Sequence, residues 1–400
     1  MMKKDDLNQI VEPLLEWFCK NARVLPWREE PLPYYVWVSE IMLQQTRVEA
    51  VKPYFQRFIQ ALPGIKDLAD CPEEKLLKLW EGLGYYNRVR NMQKAAQMVM
   101  KEYSGELPAD YEALLRLPGI GSYTAGAIAS IAYGIPVPAV DGNVLRVICR
   151  ICEKEEDITR QSVKTEIENM VRGIVPKGCP GRFNQALMEL GAVVCVPNGA
   201  PDCGACPVSG LCLARLHGRT GEIPKKKPKQ QRRIEEKTVL VVRDEFRTVI
   251  QKRPAGGLLA GLYELPNLDG HLTEGEVLGY LKENRLSPIR IQPLEPAKHI
   301  FSHVEWHMTG YLILVEEMEA FHEESGFCGE DGSGREDGRG QAQKHPSGFL
   351  VVEPWRTEAE YPIPAAFSAY AGYLQIRLGQ EKYQRKAERH QSISKNRNVP

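Results

Sequence analysis

The chain has 400 residues and a mass of 45.2 kDa, 43 % of it hydrophobic, which is more than one core usually organises and enough for two without external staples. Lys plus Arg and Asp plus Glu each total 52, so the formal charge is zero, and bulk electrostatics neither demand nor exclude a polyanionic partner. The start MMKKDDLNQIVEPLLEWF has no secretory apolar region, and ten cysteines in such a chain read as metal ligands or core fillers rather than disulfides.

From residue 7 to about 218 apolar residues recur at spacings of three and four between short Gly- and Pro-punctuated turns, which predicts an all-α half. Within it two carboxylates stand alone. Glu40 is the only charged residue between Glu30 and Arg47, and Asp141 the only one between Arg116 and Arg146. Desolvation disfavours the charged form of such a group. Two of them, one kept protonated and one ionised, form the arrangement that cleaves glycosidic bonds. The plainer roles are a Glu40 satisfied by backbone, Arg28 or Arg47, and an Asp141 that caps the helix beginning at NVLRVICRI. The stretch EALLRLPGIGSYTAGAIASIA predicts helix, tight turn and helix, with Gly119 and Gly121 permitting backbone that a Cβ would obstruct. The second helix then offers free N–H groups to a phosphate, unless the turn merely joins two helices. The uncharged run 117–140 is too rich in Pro, Gly and Ser for a membrane span and reads as buried core.

Cys195, Cys203, Cys206 and Cys212 form C-x7-C-x2-C-x5-C, too compact for two zinc knuckles and suited to an iron–sulfur cube, with zinc as the competitor. Cys149 and Cys152 sit in a helical apolar pattern and read as packing. Residues 225–233, KKKPKQQRR, carry six bases and no acid, the mark of a solvated linker or a phosphate contact. Beyond it KTVLVVRD, FRTVIQKR, HVEWHMTGYLILVEE and GFLVVEPW predict strands of an α+β or mainly β domain. The Gly- and charge-rich stretch 323–346 and the tail from about 380 read as disordered. The expected domains are therefore 1–218, a basic linker 219–236, and 237–379. His299, His303 and His307, at a spacing of four on one strand-like segment, read as structural or DNA-contacting rather than as a metal site.

SEIMLQQTRVEAV, GLGYYNRVRN, LPGIGSYTAGAI, VDGNV, FNQALMELGA and the cysteine loop together resemble the adenine DNA glycosylases of the MutY type, in the helix-hairpin-helix superfamily, over essentially the whole chain. The resemblance implies an all-α helix-hairpin-helix catalytic domain followed by an α+β Nudix-like domain, one 4Fe–4S cluster on the four cysteines, and a monomer acting on duplex DNA with adenine opposite 8-oxoguanine or guanine. It implies an intracellular, cytoplasmic and nucleoid-associated protein with no membrane partner. It assigns Glu40 to protonating adenine, Asp141 to stabilising the oxocarbenium sugar, and Tyr123 and Asn143 to the same site. Tyr123 stands where related bifunctional enzymes carry a Schiff-base lysine, so strand cleavage is not expected. Trp27, Arg28 and Gln185 match the adenine pocket, and Gln45, Leu83 and Tyr85 the residues that wedge into DNA when a base is extruded. In the second half Phe301, Ser302 and His303 match the contacts to 8-oxoguanine. The stretch RPAGGLLAGLYELPNL supplies Glu264 but no metal-binding Nudix box. Two departures stand out. The first cysteine gap is one residue longer than the family pattern, which requires a bulge or an altered first ligand, and Leu145 replaces a lysine found in some relatives.

Overall fold

In the computed structural model, residues 4–227, 231–316, 318, 343–344 and 348–374 are described. The chain divides into two units, Met1–Lys229 and Gln230–Pro400. The first is helical. Helix Pro33–Leu43 opens on a proline at its first turn and is apolar on every side, so it is buried all round. Helices Val48–Ala61 and Asn87–Glu102 bury one stripe each. The predicted hairpin is Tyr111–Leu115, a turn, and Ser122–Ala127, which runs on into a π-helical turn, Ile128–Ala132. Helices Gly142–Cys152, Gln161–Arg172 and Pro180–Val193 follow. One core cluster joins the faces of these three to Leu14 and Phe18 near the N-terminus and to Val208, Cys212 and Ile223 of the cysteine loop. Cys149 lies inside that core, as the apolar pattern predicted.

The segment expected as a linker is anchored at both ends. Ile223 is buried, Arg219 pairs with Glu153 and Glu155, and Lys225 pairs with Glu155, so residues 219–225 belong to the first unit. At the other end strand β1 begins at Arg233. Tertiary packing overrode the linker composition.

The second unit is built on one sheet. Its strands are β1 Arg233–Arg243, β2 Thr248–Lys252, β3 Tyr263–Glu264, β4 Asn267–Asp269, β5 Pro288–Ile300, β6 Val304–Val315, β7 Gln343–Lys344 and β8 Phe349–Val352. The order is β5-β6-β1-β2-β8-β7, with β3 on β2 and β4 on β1; among the described residues only the β1–β6 pair is parallel. Successive side chains of β1 point to opposite faces: Val239 and Val241 enter a core with Trp306, Phe367 and Tyr370, while Leu240 and Val242 enter another with Val277, Leu281 and Ile313. The stretch expected as disordered, 323–346, lies outside the described residues except for β7, which pairs with β8; the tail from 380 lies wholly outside them. Among the described residues no helix is long and apolar enough to cross a membrane.

Candidate active site

Glu40 is 6 % exposed, on a helix whose residues 36–42 are all buried. Neither expected arginine bonds it. Arg28 donates to Glu189 at 2.8 Å, and Arg47 lies exposed just before helix Val48–Ala61. Instead the Tyr123 hydroxyl donates to the Glu40 carboxylate. Burial pushes the Glu40 carboxyl up to about 7; the Tyr123 hydrogen bond and the Arg28 charge pull against that shift, while the Asp141 charge adds to it. A proton is therefore available there at neutral pH. Burial beside both carboxylates also drives Tyr123 well above the ordinary phenol range, so its hydroxyl stays a donor.

Asp141 caps helix Gly142–Cys152, as its position predicted. One oxygen accepts the backbone N–H groups of Asn143 at 2.9 Å and Val144 at 2.8 Å, and the other accepts the Asn143 side-chain amide at 2.7 Å. Burial raises this carboxyl as well, but those three donors and the Arg146 charge oppose the rise. The two acids are thus distinguished by what resists desolvation: one hydroxyl at Glu40, three N–H donors at Asp141.

Three tight approaches bring the acids together. A Cβ at Gly126 would lie 2.0 Å from the Pro138 carbonyl oxygen, one at Gly181 2.6 Å from the Ser130 carbonyl oxygen, and one at Gly191 2.6 Å from the Asn143 Cβ. The Pro-rich strap that leads to Asp141 is held by buried Asn184, which accepts from the Ala139 N–H at 3.1 Å and donates to the Val137 carbonyl at 2.9 Å and the Ser130 hydroxyl at 2.8 Å. Arg146 donates to the Asn143 side-chain oxygen and the Cys195 carbonyl, both at 2.8 Å, and to the Gly191 carbonyl at 2.7 Å. It fixes Asn143 and joins the Asp141 helix to the cysteine loop.

Trp27 is buried edge-on against Phe55, with ring centres 5.3 Å apart, and Gln185 is half-buried on helix Pro180–Val193. Glu189, on the same helix and 1 % exposed, receives Arg23 at 2.6 Å and Arg28 at 2.8 Å. Burial pushes Glu189 up, yet the two arginines prevail and hold it below the usual carboxylate range. Of the wedge positions, Leu83 is buried while Gln45 and Tyr85 are exposed, and the last two adopt left-handed backbone at φ 60° and 48°. For residues with a Cβ that conformation costs about 1–3 kcal/mol and persists only where neighbours enforce it.

In the hairpin only one glycine is sterically required. Gly119 has φ 77° and a Cβ there would lie 2.7 Å from the Asn91 Cβ; Gly121 is extended with nothing within 4 Å, which corrects the expectation that both were needed. Gly121 does precede helix Ser122–Ala127, whose first N–H groups have no partner within the helix and no side-chain cap at Gly121.

The four predicted cysteines line one cavity together with Val147, Arg150, Leu190 and Val208. No three His, Cys, Asp or Glu among the described residues are gathered tightly enough for a single ion. The first gap, residues 196–202, contains Gly199 at φ 81° and is closed by the Asp202 N–H to the Val194 carbonyl at 3.1 Å. The Arg150 guanidinium lies 3.2 Å from the Cys195 sulfur. Four soft sulfurs lining one cavity, with a cation beside them, fit a thiolate-held metal centre of net negative charge.

In the second unit Phe301, Ser302 and His303 form the turn between β5 and β6, closed by the Phe301 N–H to the Val304 carbonyl at 2.8 Å. Ser302 and His303 are exposed, and the Phe301 ring packs edge-on between His299 and Trp306. His299 is therefore on β5 and His307 on β6, on two strands rather than one face of a single segment. Glu264 is buried and occupied by Arg253 and by Gln251 at 2.9 Å.

Glu189, Asn184, Arg146 and Arg88 escaped the sequence reading. A signal for one of them was present: Glu189 is the only charge between Arg182 and Asp202, a lone charge in an apolar run like the one that marked Glu40.

A helical hairpin with a buried acid before it and a half-buried one after it in the chain, followed by a sheet domain, defines a base-excision architecture. Residues 38–172 match the family model of the HhH-GPD superfamily base excision DNA repair proteins, and residues 238–370 match that of the NUDIX domain. The adenine DNA glycosylase of Mus musculus is 35 % identical over 79 % of this chain and 72 % of its own length. That of Buchnera aphidicola (Acyrthosiphon pisum, strain APS) is 33 % identical over 81 % of this chain and 91 % of its own. A thermostable thymine-DNA glycosylase of known structure is 28 % identical, with a TM-score of 0.48, covering 53 % of this chain and 98 % of its own. The chain belongs to the adenine DNA glycosylase family.

Proposed function

We propose that this protein removes adenine paired with 8-oxoguanine or guanine from duplex DNA and leaves the strand uncut. The observation that carries the reading is the pair of acids, a buried Glu40 whose carboxyl is pushed up to about 7 and a half-buried Asp141 braced by three N–H donors. Adenine leaves poorly as an anion, so Glu40 donates its proton to the ring as the bond to C1′ breaks. Positive charge then develops on the sugar, where the Asp141 carboxylate stabilises it through a transient bond to C1′. Water then displaces the Asp141 carboxylate from C1′, Glu40 takes up the water's proton, and both acids are restored. Tyr123 holds Glu40 and Asn143 holds Asp141. A phenol cannot form a Schiff base, which supports release of the base without strand scission.

Trp27, Arg28 and Gln185 are assigned to the adenine pocket, Gln45, Leu83 and Tyr85 to the gap left by extrusion, and the hairpin at Gly119 and Gly121 to phosphate. Cys195, Cys203, Cys206 and Cys212 would hold one 4Fe–4S cluster, which when bound cross-links the loop and can exchange one electron. The second unit recognises the oxidised guanine through Phe301, Ser302 and His303; with Glu264 engaged by Arg253, it has no free carboxylate there for metal-dependent hydrolysis. The protein works as a monomer on duplex DNA.

Labelled duplexes with adenine opposite 8-oxoguanine, guanine or thymine test this. Alkali-labile sites should form in the first two and vanish with Glu40→Gln. Breaks that appear without alkali would defeat the monofunctional reading, and equal reaction opposite thymine the mispair specificity.

A further inference from the structure

Resting on the reading of Gln45, Leu83 and Tyr85 as the residues that fill the gap behind an extruded base, we propose that Arg88 is a positioning residue that holds this wedge in its DNA-ready shape. One guanidinium ties together two distant segments. Its Nη1 donates to the carbonyls of Ile41 at 2.6 Å, Met42 at 3.3 Å and Gln44 at 2.8 Å, and its Nη2 to those of Leu83 and Gly84, both at 3.1 Å. The first three belong to the end of the Glu40 helix, where carbonyls lack intrahelical partners and attract positive charge.

The residue after each terminal carbonyl is the informative one. Gln45 follows Gln44 and Tyr85 follows Gly84, and both are exposed in the left-handed conformation that side chains with a Cβ avoid. The same guanidinium lies 5.4 Å from the ring centres of both Tyr85 and Trp80, so the fork clamps the backbone while its face meets the exposed aromatic. Burying a guanidinium to satisfy carbonyls that water could serve gains little stability by itself. It does fix the backbone leading into two exposed residues before DNA arrives, which lowers the cost of ordering them on binding. Lysine offers a point charge without a fork and cannot span both segments.

The test uses the full chain and two duplexes with adenine opposite 8-oxoguanine. In one the adenine is fully stacked, and in the other abasic analogues flank it so that it is already unstacked. Under single-turnover conditions Arg88→Lys and Arg88→Gln should excise at least roughly tenfold more slowly from the stacked duplex but within about threefold of the native rate from the unstacked one, with an unshifted pH profile. The exposed pair variant Gln45→Ala/Tyr85→Ala should show the same substrate pattern, and adding Arg88→Lys to it should cost nothing further. Equal loss on both duplexes, a shifted pH profile, a native rate on the stacked duplex, or full additivity in the triple variant would each overturn the inference. If the native protein releases no adenine from either duplex, the glycosylase reading beneath it falls instead.

Discussion

Glu40 carries the largest conflict between stability and chemistry in the molecule. Its ordinary value of 4.5 rises to about 7 in the folded chain. The folded state therefore holds a proton that the unfolded state releases: the neutral side chain's contribution is fully present below pH 4.5 and is lost as pH rises through 7. Glu40→Gln should be more stable than the native protein by up to about 3 kcal/mol at pH 8, the gap closing toward pH 5, as denaturant melts across that range would show. Excision should fall above pH 7 as Glu40 loses its proton, and a flat alkaline limb in single-turnover rates would count against its acid role. The two acids were legible because isolated charge in apolar sequence is rare and costly. The supports around them were not: Asn184 holds the strap that leads to Asp141 and Glu189 engages Arg28, and both reach those places only through helix packing.

Among the helices, position is set by close approach. Gly191→Ala would press a methyl into Asn143 and should cost about 1–3 kcal/mol while slowing excision through Asp141; Gly119→Ala should cost a similar amount through its φ of 77° and Asn91. Gly121→Ala should melt within about 0.5 kcal/mol of native, because open space and ordinary backbone await its methyl. A turn pattern reveals that glycine is present, not which glycine is crowded, so the sequence treated the two alike. The strands with alternating β-branched residues were legible as well, but β5, with Pro288, Pro293 and Pro296, was hidden by prolines that a strand tolerates at an edge.

At the scale of the whole chain, each unit has its own cores, and the cysteine loop packs on the same cluster as the Asp141 helix. Cys212→Ser should abolish broad visible absorbance after anaerobic purification and lower the first thermal transition by several degrees, leaving the second unit's transition in place; a colourless native protein of full activity would refute the cluster. Ser302→Ala should leave excision opposite guanine near native and reduce the preference for 8-oxoguanine, read as the ratio of the two rates. The order of domains was visible in the change from helical to strand periodicity. The true extent of the first unit was not, because Arg219 and Lys225 look like linker until their acidic partners are seen.

The cap on the Gly142–Cys152 helix has one more effect. A carboxylate already gripped by its own helix is held in place, so on the proposed mechanism the nucleotide must travel the full distance and present its anomeric carbon in a single pose. A bridged ribose bearing adenine, whose fixed pucker resists the flattened oxocarbenium shape, should bind in a gel shift yet yield no alkali-labile site.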